Sequence, residues 1–212
     1  RIDEPVRRRF GADIVHLQPG SPDNFEDETV SGDSTAASLP FASGAGQHAF
    51  RDQWGVVWRR AAYYYDMIHH PLAEATTVAD VERHPWPDPR DPGRFRGLDL
   101  EARRWFEETG YALQADQGSG GILEMGLWTR GFEAFYMDLA LQSAVGEAIL
   151  ERVLAYLLEF YDGYLDAVGP YVQIVAIGDD YGTQNSLLLS PAVFRRSIKP
   201  RYAQLLAFIK RK

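Results

Sequence analysis

Val172-Gln173-Ile174-Val175-Ala176-Ile177-Gly178-Asp179-Asp180-Tyr181-Gly182-Thr183-Gln184 is the stretch on which the fold turns. An apolar run stands between Gly169-Pro170 and Gly178, and two carboxylates follow it directly. The run predicts a β-strand over 172–178, buried on both faces as in a parallel sheet. Upstream, Ser143 opens the longest predicted helix, with Leu150, Leu154, Leu157, Tyr161, Leu165 and Val168 forming an apolar stripe. Tyr111-Ala112-Leu113-Gln114-Ala115 predicts a second core strand, and Asp13-Ile14-Val15-His16-Leu17 a first. Helices are expected over 2–10, 98–109, 122–128 and 132–141, with Gly11 and Gly110 as stops. Strands alternating with helices imply an α/β fold with parallel strands.

Between the first two strands the pattern changes. Residues 18–46 are rich in Gly, Pro, Ser and Asp, which predicts an ordered functional loop or a mobile lid. Asp52-Gln53-Trp54-Gly55-Val56-Val57-Trp58 reads as a hairpin arm paired with 62–68. Thr77 and Asp80 fit a capping box, so a short helix should run to about His84. Pro85, Pro87, Pro89 and Pro92 make an extended linker. Ser190-Pro191 marks the start of a final helix, with a kink expected at Pro200.

The chain has 212 residues, 45% of them hydrophobic, enough for one domain with a real core. Its formal net charge is −8, which argues against a nucleic-acid or anionic-membrane partner. Cysteine is absent, so disulfides, thiolate zinc ligands and a cysteine nucleophile within this chain are excluded. No apolar run reaches the length of a membrane-spanning helix, and no signal peptide is visible.

In parallel α/β folds, ligands bind beyond the C-terminal ends of the strands. The first strand ends with His16 and Gln18, the second with Asp116 and Gln117, the third with Asp179 and Asp180. Adjacent carboxylates there could bind a cation, orient a polar substrate or move a proton. The plainer reading has one capping a following turn and the other facing water. Gly118-Ser119-Gly120-Gly121 lacks both the P-loop lysine and the dinucleotide spacing, and reads as a flexible turn lining the site. His16 reads either as a site residue or, more plainly, as a satisfied buried histidine. His48, His69, His70 and His84 show no metal-ligand spacing. Trp54, Trp58 and Tyr63-Tyr64-Tyr65 read as hairpin packing, or as a stacking surface for a flat ligand. Arg7-Arg8-Arg9 and Arg59-Arg60 could meet substrate carboxylates, and solvated surface is the favoured reading for the first cluster.

The block from Val172 to Gln184, continued by Leu187-Leu188-Leu189-Ser190-Pro191, Phe194 and Lys199-Pro200-Arg201-Tyr202, resembles the uroporphyrinogen decarboxylase superfamily. Weaker matches are Glu4-Pro5-Val6-Arg7-Arg8-Arg9-Phe10-Gly11-Ala12-Asp13, Asp52-Gln53-Trp54-Gly55-Val56, and His70-Pro71-Leu72-Ala73 with Trp86-Pro87. The resemblance implies a partial (β/α)8 TIM barrel across 1–212, its C-terminal strands and helices missing, with a hairpin and loop insertion over 18–97. It implies catalytic Asp179 and Asp180 at the barrel mouth, and substrate contacts from His16, Gln18, Asp116, Trp128, Tyr181 and Gln184. Two chemistries follow from it: porphyrinogen decarboxylation, which needs no cofactor, or corrinoid-linked methyl transfer to a thiol, with a corrinoid protein as partner. It also implies a cytoplasmic enzyme that acts on a small molecule and could be oligomeric. No metal ligand or cofactor is assigned within this chain, and zinc would belong to a longer methyltransferase-like protein.

The sequence departs from the decarboxylase pattern in several places. The arginine-rich N-terminal motif is not here, and no aspartate aligns after the first strand, Asp23 being near but out of place. Tyr136 is the nearest counterpart of the tyrosine expected after Trp128. Asp179-Asp180-Tyr181 is closer to the methyltransferase-like branch. The alternative is a non-catalytic chain of the same ancestry, a fragment or an assembly partner. The reading frame beyond Lys212 separates these readings. Sequencing should find a His-x-Cys segment and a later cysteine if the chain belongs to a methyltransferase, and a stop codon if it is a non-catalytic partner.

Overall fold

The computed structural model describes residues 4–25, 28–30, 49–61 and 63–212. His48 and most of the expected 18–46 loop fall outside them. In chain order the elements are α1 (Glu4–Phe10), β1 (Ile14–Leu17), β2 (Glu28–Val30), β3 (Ala49–Arg51), β4 (Val57–Ala61), β5 (Tyr64–His69), α2 (Val78–Arg83), α3 (Leu98–Glu108), β6 (Ala112–Ala115), α4 (Ile122–Arg130), α5 (Phe132–Leu141), α6 (Ala144–Val168), β7 (Ile174–Val175), α7 (Pro191–Val193) and α8 (Lys199–Ile209). The architecture is mixed α/β with two small sheets, and no closed barrel forms among the described residues. No helix among them is long and apolar enough to cross a membrane. The chain divides into two compact units, one of Arg1–Asp23, Asp88–Leu123 and Leu154–Lys212, the other of Asn24–Pro87 and Glu124–Val153.

The first unit is built on a parallel three-stranded sheet in the order β1-β6-β7. Ile14 to Leu17 pair in step with Ala112 to Ala115. Beyond them, Gln114 and Ala115 pair with Ile174 and Val175. Val15, Leu17, Leu113 and Ala115 are buried, and α3 packs against β1 and β6. Within this unit α6 buries Leu154, Leu157, Phe160, Tyr161, Tyr164, Leu165 and Val168, as its apolar stripe predicts. Two of its tyrosines also reach the strand ends. Tyr164 donates to the Leu17 carbonyl at 2.7 Å, and Tyr161 to the Ala176 carbonyl at 3.2 Å. Each such bond contributes about 1 kcal/mol. Burial pushes both phenols well above the ordinary tyrosine range.

Two expectations for this unit need correction. The third strand is short and only half-buried, because β7 is an edge strand with a single neighbour. Its ladder bonds still extend from Gln173 N–H to Leu113 O, and from Ala176 N–H to Ala115 O. Arg7 is not solvated: it is buried, donates to the Ile14 carbonyl at 2.5 Å, and lies over the rings of Trp105 and Tyr111. Planar guanidinium groups suit such stacking, and only Arg8 and Arg9 of that cluster are exposed. The kink expected at Pro200 takes the form of a π-helical turn over Phe194–Ile198, closed by Lys199 N–H donating to Phe194 O. Proline cannot supply the helical N–H, and the wider turn accommodates its ring.

The second unit contains an antiparallel sheet in the order β2-β3-β4-β5. The strand β2 lies inside the segment expected to be loop. The hairpin is β4 with β5, which places the first arm later than the 52–58 expectation. Residues 52–56 instead form a turn organised by one carboxylate. Asp52 accepts from Trp54 N–H at 2.9 Å, Val56 N–H at 3.0 Å and Trp58 Nε1–H at 2.7 Å. Gly55 sits at φ +82°, where a side chain would be strained. The Asp-Gln-Trp-Gly-Val signature is therefore explained by turn geometry. Trp54 is buried edge-on to Trp86, and Tyr65, 52% exposed, meets Phe50 edge-on at 5.7 Å, whereas Tyr63 and Tyr64 are 96% and 80% exposed, so these two depart from the packing expectation.

The capping box forms as read. Thr77 Oγ1 accepts from Asp80 N–H, and Asp80 accepts from Thr77 N–H at 2.8 Å, Thr77 Oγ1 at 2.8 Å and Thr76 N–H at 3.0 Å. Those bonds, the Thr77 hydroxyl foremost, pull the Asp80 carboxyl down to about 2 from its ordinary 3.8. A depressed carboxyl stabilises the fold above its unfolded value and loses that contribution as pH falls towards its folded value. The stability advantage of the native protein over Asp80→Asn, measured by urea denaturation, should hold above about pH 5 and fade between about pH 4 and about pH 2.

Candidate functional site

Parallel pairing in step brings β1 and β6 to a common C-terminal edge, and side-chain alternation sorts their residues by face. Val15, Leu17, Leu113 and Ala115 occupy the buried face. His16, Gln114 and Asp116 occupy the other, with Gln18 just beyond β1. These four polar side chains form one hydrogen-bonded cluster. His16 Nδ1 lies 2.8 Å from Asp116 Oδ1, and Gln114 Nε2 donates to the same oxygen at 2.8 Å. Gln18 Nε2 donates to Asp116 Oδ2 at 3.3 Å. The His16 side chain is 45% exposed and that of Asp116 17%, so His16 is not a satisfied buried histidine. It stands on the open face of the sheet because residue 16 has the opposite parity to Val15 and Leu17.

Past β7 the chain turns through Gly178 into Asp179. The Gly178 carbonyl accepts Gln117 Nε2–H at 3.1 Å, which ties the ends of β6 and β7 together. Asp179 Oδ2 accepts from Leu123 N–H at 2.8 Å, Tyr202 Oη at 2.7 Å and Tyr181 Oη at 3.1 Å. Leu123 is in the first turn of α4, so Asp179 supplies an acceptor to a helix start that needs one. Burial and the neighbouring Asp179 carboxylate hold the Tyr202 phenol far above its ordinary value, hence protonated and donating. Asp180 is exposed. Of the plainer expectation for the pair, the half that has one carboxylate facing water describes Asp180, while Asp179 caps not a following turn but the start of a helix 56 residues earlier. Tyr181 packs edge-on against Phe194. Gln184 is exposed in a tight turn closed by a bridge between Gly182 and Leu187.

The glycine-rich turn serves close approach rather than flexibility. A Cβ on Gly121 would fall 2.1 Å from the Gly178 carbonyl oxygen and 2.4 Å from Asp179 Oδ1. One on Gly118 would fall 2.3 Å from the Phe160 ring. Gly121 therefore lets Asp179 reach the start of α4.

Other predicted positions lie elsewhere or carry structural roles. Trp128 belongs to the second unit, where it packs edge-on against Trp58 at 5.5 Å and its carbonyl accepts from His70 Nδ1 at 2.7 Å. Asp23 is ion-paired with Arg96. Tyr136 is also in the second unit, with its hydroxyl buried. Sequence reading did not assign Gln114 or Tyr202 to the site. Strand alternation could have found Gln114, two residues before Asp116. Nothing local connects Tyr202 to Asp179. Among the described residues, no three His, Asp or Glu side chains gather as a metal site, and with no cysteine in the chain these residues do not form a zinc donor set.

No protein-family model and no curated protein matches this chain. Among solved structures, a methyltransferase from Methanosarcina mazei is similar at a TM-score of 0.49 and 15% identity, over 74% of this chain and 44% of that one. The chain spans less than half the length of that protein.

Gly121→Ala should push Asp179 away from Leu123 and cost about 1–3 kcal/mol, as overpacking does. The expected readouts are a lower urea midpoint and a changed amide resonance for Leu123.

Proposed function

We propose that this chain is part of a uroporphyrinogen-decarboxylase-like enzyme of partial (β/α)8 type, binding a small molecule beyond the C-terminal ends of β1, β6 and β7. The observation that carries this reading is the hydrogen-bonded cluster of His16, Gln18 and Asp116 at the ends of β1 and β6, with Asp179 and Asp180 following the third parallel strand, β7. That edge is where parallel α/β folds place their ligands. The resemblance of residues 172–202 to the superfamily supplies the two candidate reactions, porphyrinogen decarboxylation and corrinoid-linked methyl transfer to a thiol.

The roles divide according to what each carboxylate already holds. Asp179 positions Tyr181, Tyr202 and the start of α4. Asp180 is open to solvent and meets substrate. Carboxylates and amide groups favour a ligand that presents hydrogen-bond donors or positive charge. In decarboxylation, the protonated pyrrole that takes up the electron pair is such a group, and a fixed carboxylate stabilises it. In methyl transfer, the same carboxylate would orient the acceptor.

In the intact protein, Asp180→Asn should lower turnover and substrate affinity about tenfold or more, the worth of one charge-assisted hydrogen bond. Parallel assays of porphyrinogen decarboxylation and thiol methylation identify the reaction. Unchanged turnover and affinity would remove Asp180 from the site. Asp179→Asn should act chiefly on stability, since three donors lose their carboxylate.

A further inference from the structure

Resting on the strand-end site just described, we propose that His16 is its proton-transfer group and that Asp116 is the residue that positions it. The tautomer follows from the partner. An ionised carboxylate only accepts hydrogen bonds, so the 2.8 Å approach to Asp116 Oδ1 calls for the proton on His16 Nδ1, and Gln114 Nε2, 3.2 Å from that nitrogen, gives its hydrogen to Asp116 Oδ1 at the shorter distance of 2.8 Å. The neutral ring then bears its lone pair on Nε2. Asp116 is itself held at both oxygens, by Gln114 on Oδ1 and Gln18 on Oδ2, so the ring is presented in one orientation.

Burial runs in the sense such a pair requires. The carboxylate is the covered end at 17% exposure, and the imidazole is the open end at 45%. The cluster around Asp116 is made of one imidazole and two amides, and among the described residues its ion-pair partner is His16 rather than a lysine or arginine. That charge is available to an imidazolium as it forms. His70 and His84, by contrast, face the main-chain carbonyls of Trp128 and Trp54. A carbonyl can fix a tautomer, but it supplies no full negative charge to a protonated ring.

The step is a proton transfer. The Nε2 lone pair forms an N–H bond to the substrate's proton, the X–H bond breaks, and its electron pair stays on X. The positive charge on the ring is matched by Asp116. No oxidant, reductant or metal enters the balance. The substrate this suits is a small molecule with a weakly acidic X–H group. A thiol is such a group, and its anion is the nucleophile that methyl transfer needs.

Two measurements on the intact protein test the proposal. The first needs no substrate. Long-range 1H–15N spectra should place the His16 proton on Nδ1. Diethyl pyrocarbonate, which acylates an unprotonated ring nitrogen, should modify His16. Asp116→Ala should change the tautomer ratio and the His16 acylation rate, and leave the rates of His70 and His84 as they were. A wild-type proton on Nε2, or a His16 rate indifferent to Asp116→Ala, overturns the proposal. The second is kinetic. His16→Gln should lower kcat about a hundredfold or more, with KM within about twofold, and added imidazole should restore part of the turnover of His16→Gly. Full kcat in His16→Gln overturns the role of His16 and leaves the strand-end site standing if Asp180→Asn is still impaired. An unimpaired Asp180→Asn beside a dead His16→Gln removes Asp180 and keeps the pair.

Discussion

The parallel ladder of β1, β6 and β7 is the constraint on which the first unit depends. Pairing in step from Ile14–Ala112 to Leu17–Ala115, and on to Val175, brings three strand ends to one edge. Chain carbonyls at such an edge have no further strand to accept from. The Leu17 carbonyl accepts from Asp116 N–H and, as a second donor, from Tyr164 of α6, while Tyr161 of α6 serves Ala176 and Gln117 serves Gly178. While α3 packs against β1 and β6, one long helix thus ties two of the strand ends through its tyrosine hydroxyls. The polar face of the sheet is free to carry His16, Gln114 and Asp116 in a defined geometry.

The same economy of acceptors explains the sequel to β7. An edge strand followed by two carboxylates would be a costly arrangement if both were buried. Only Asp179 is drawn inward, where an amide and two phenols satisfy it, and Asp180 stays in water. Gly121 makes this possible, because any larger residue would occupy the space of the Gly178 carbonyl. Position within the turn separates two chemically identical neighbours into a holder and an exposed group.

Much of the chain was legible because its signals are local. The Thr77–Asp80 box, the Ser190-Pro191 start, the Gly11 stop and the α6 stripe each depend on residues within a few positions of one another, and each appears as read. Parallel strands also followed from strand and helix alternation. The burial of strand 172–178 did not follow, since an apolar run cannot say how many neighbours it has, and β7 has one. Arg7 reads as surface by composition, yet the rings of Trp105 and Tyr111 lie about a hundred residues away and bury it. Two of the tyrosine triplet err in the opposite direction: aromatic residues in a hairpin read as packing, but Tyr63 and Tyr64 remain largely exposed and only Tyr65 meets a ring, that of Phe50.

By itself, then, the sequence determined the elements of the first unit, their α/β order and the three strand ends with their polar residues, but not the strand β2 or the exact arms of the hairpin. What it determined follows from short-range sterics, capping and alternation. The tertiary structure alone decided which of those residues act together. His16 meets Asp116 across 100 residues, and Tyr202 meets Asp179 across 23. Such pairs exist only when strand register and helix rotation bring two distant atoms within about 3 Å. No local pattern encodes that distance.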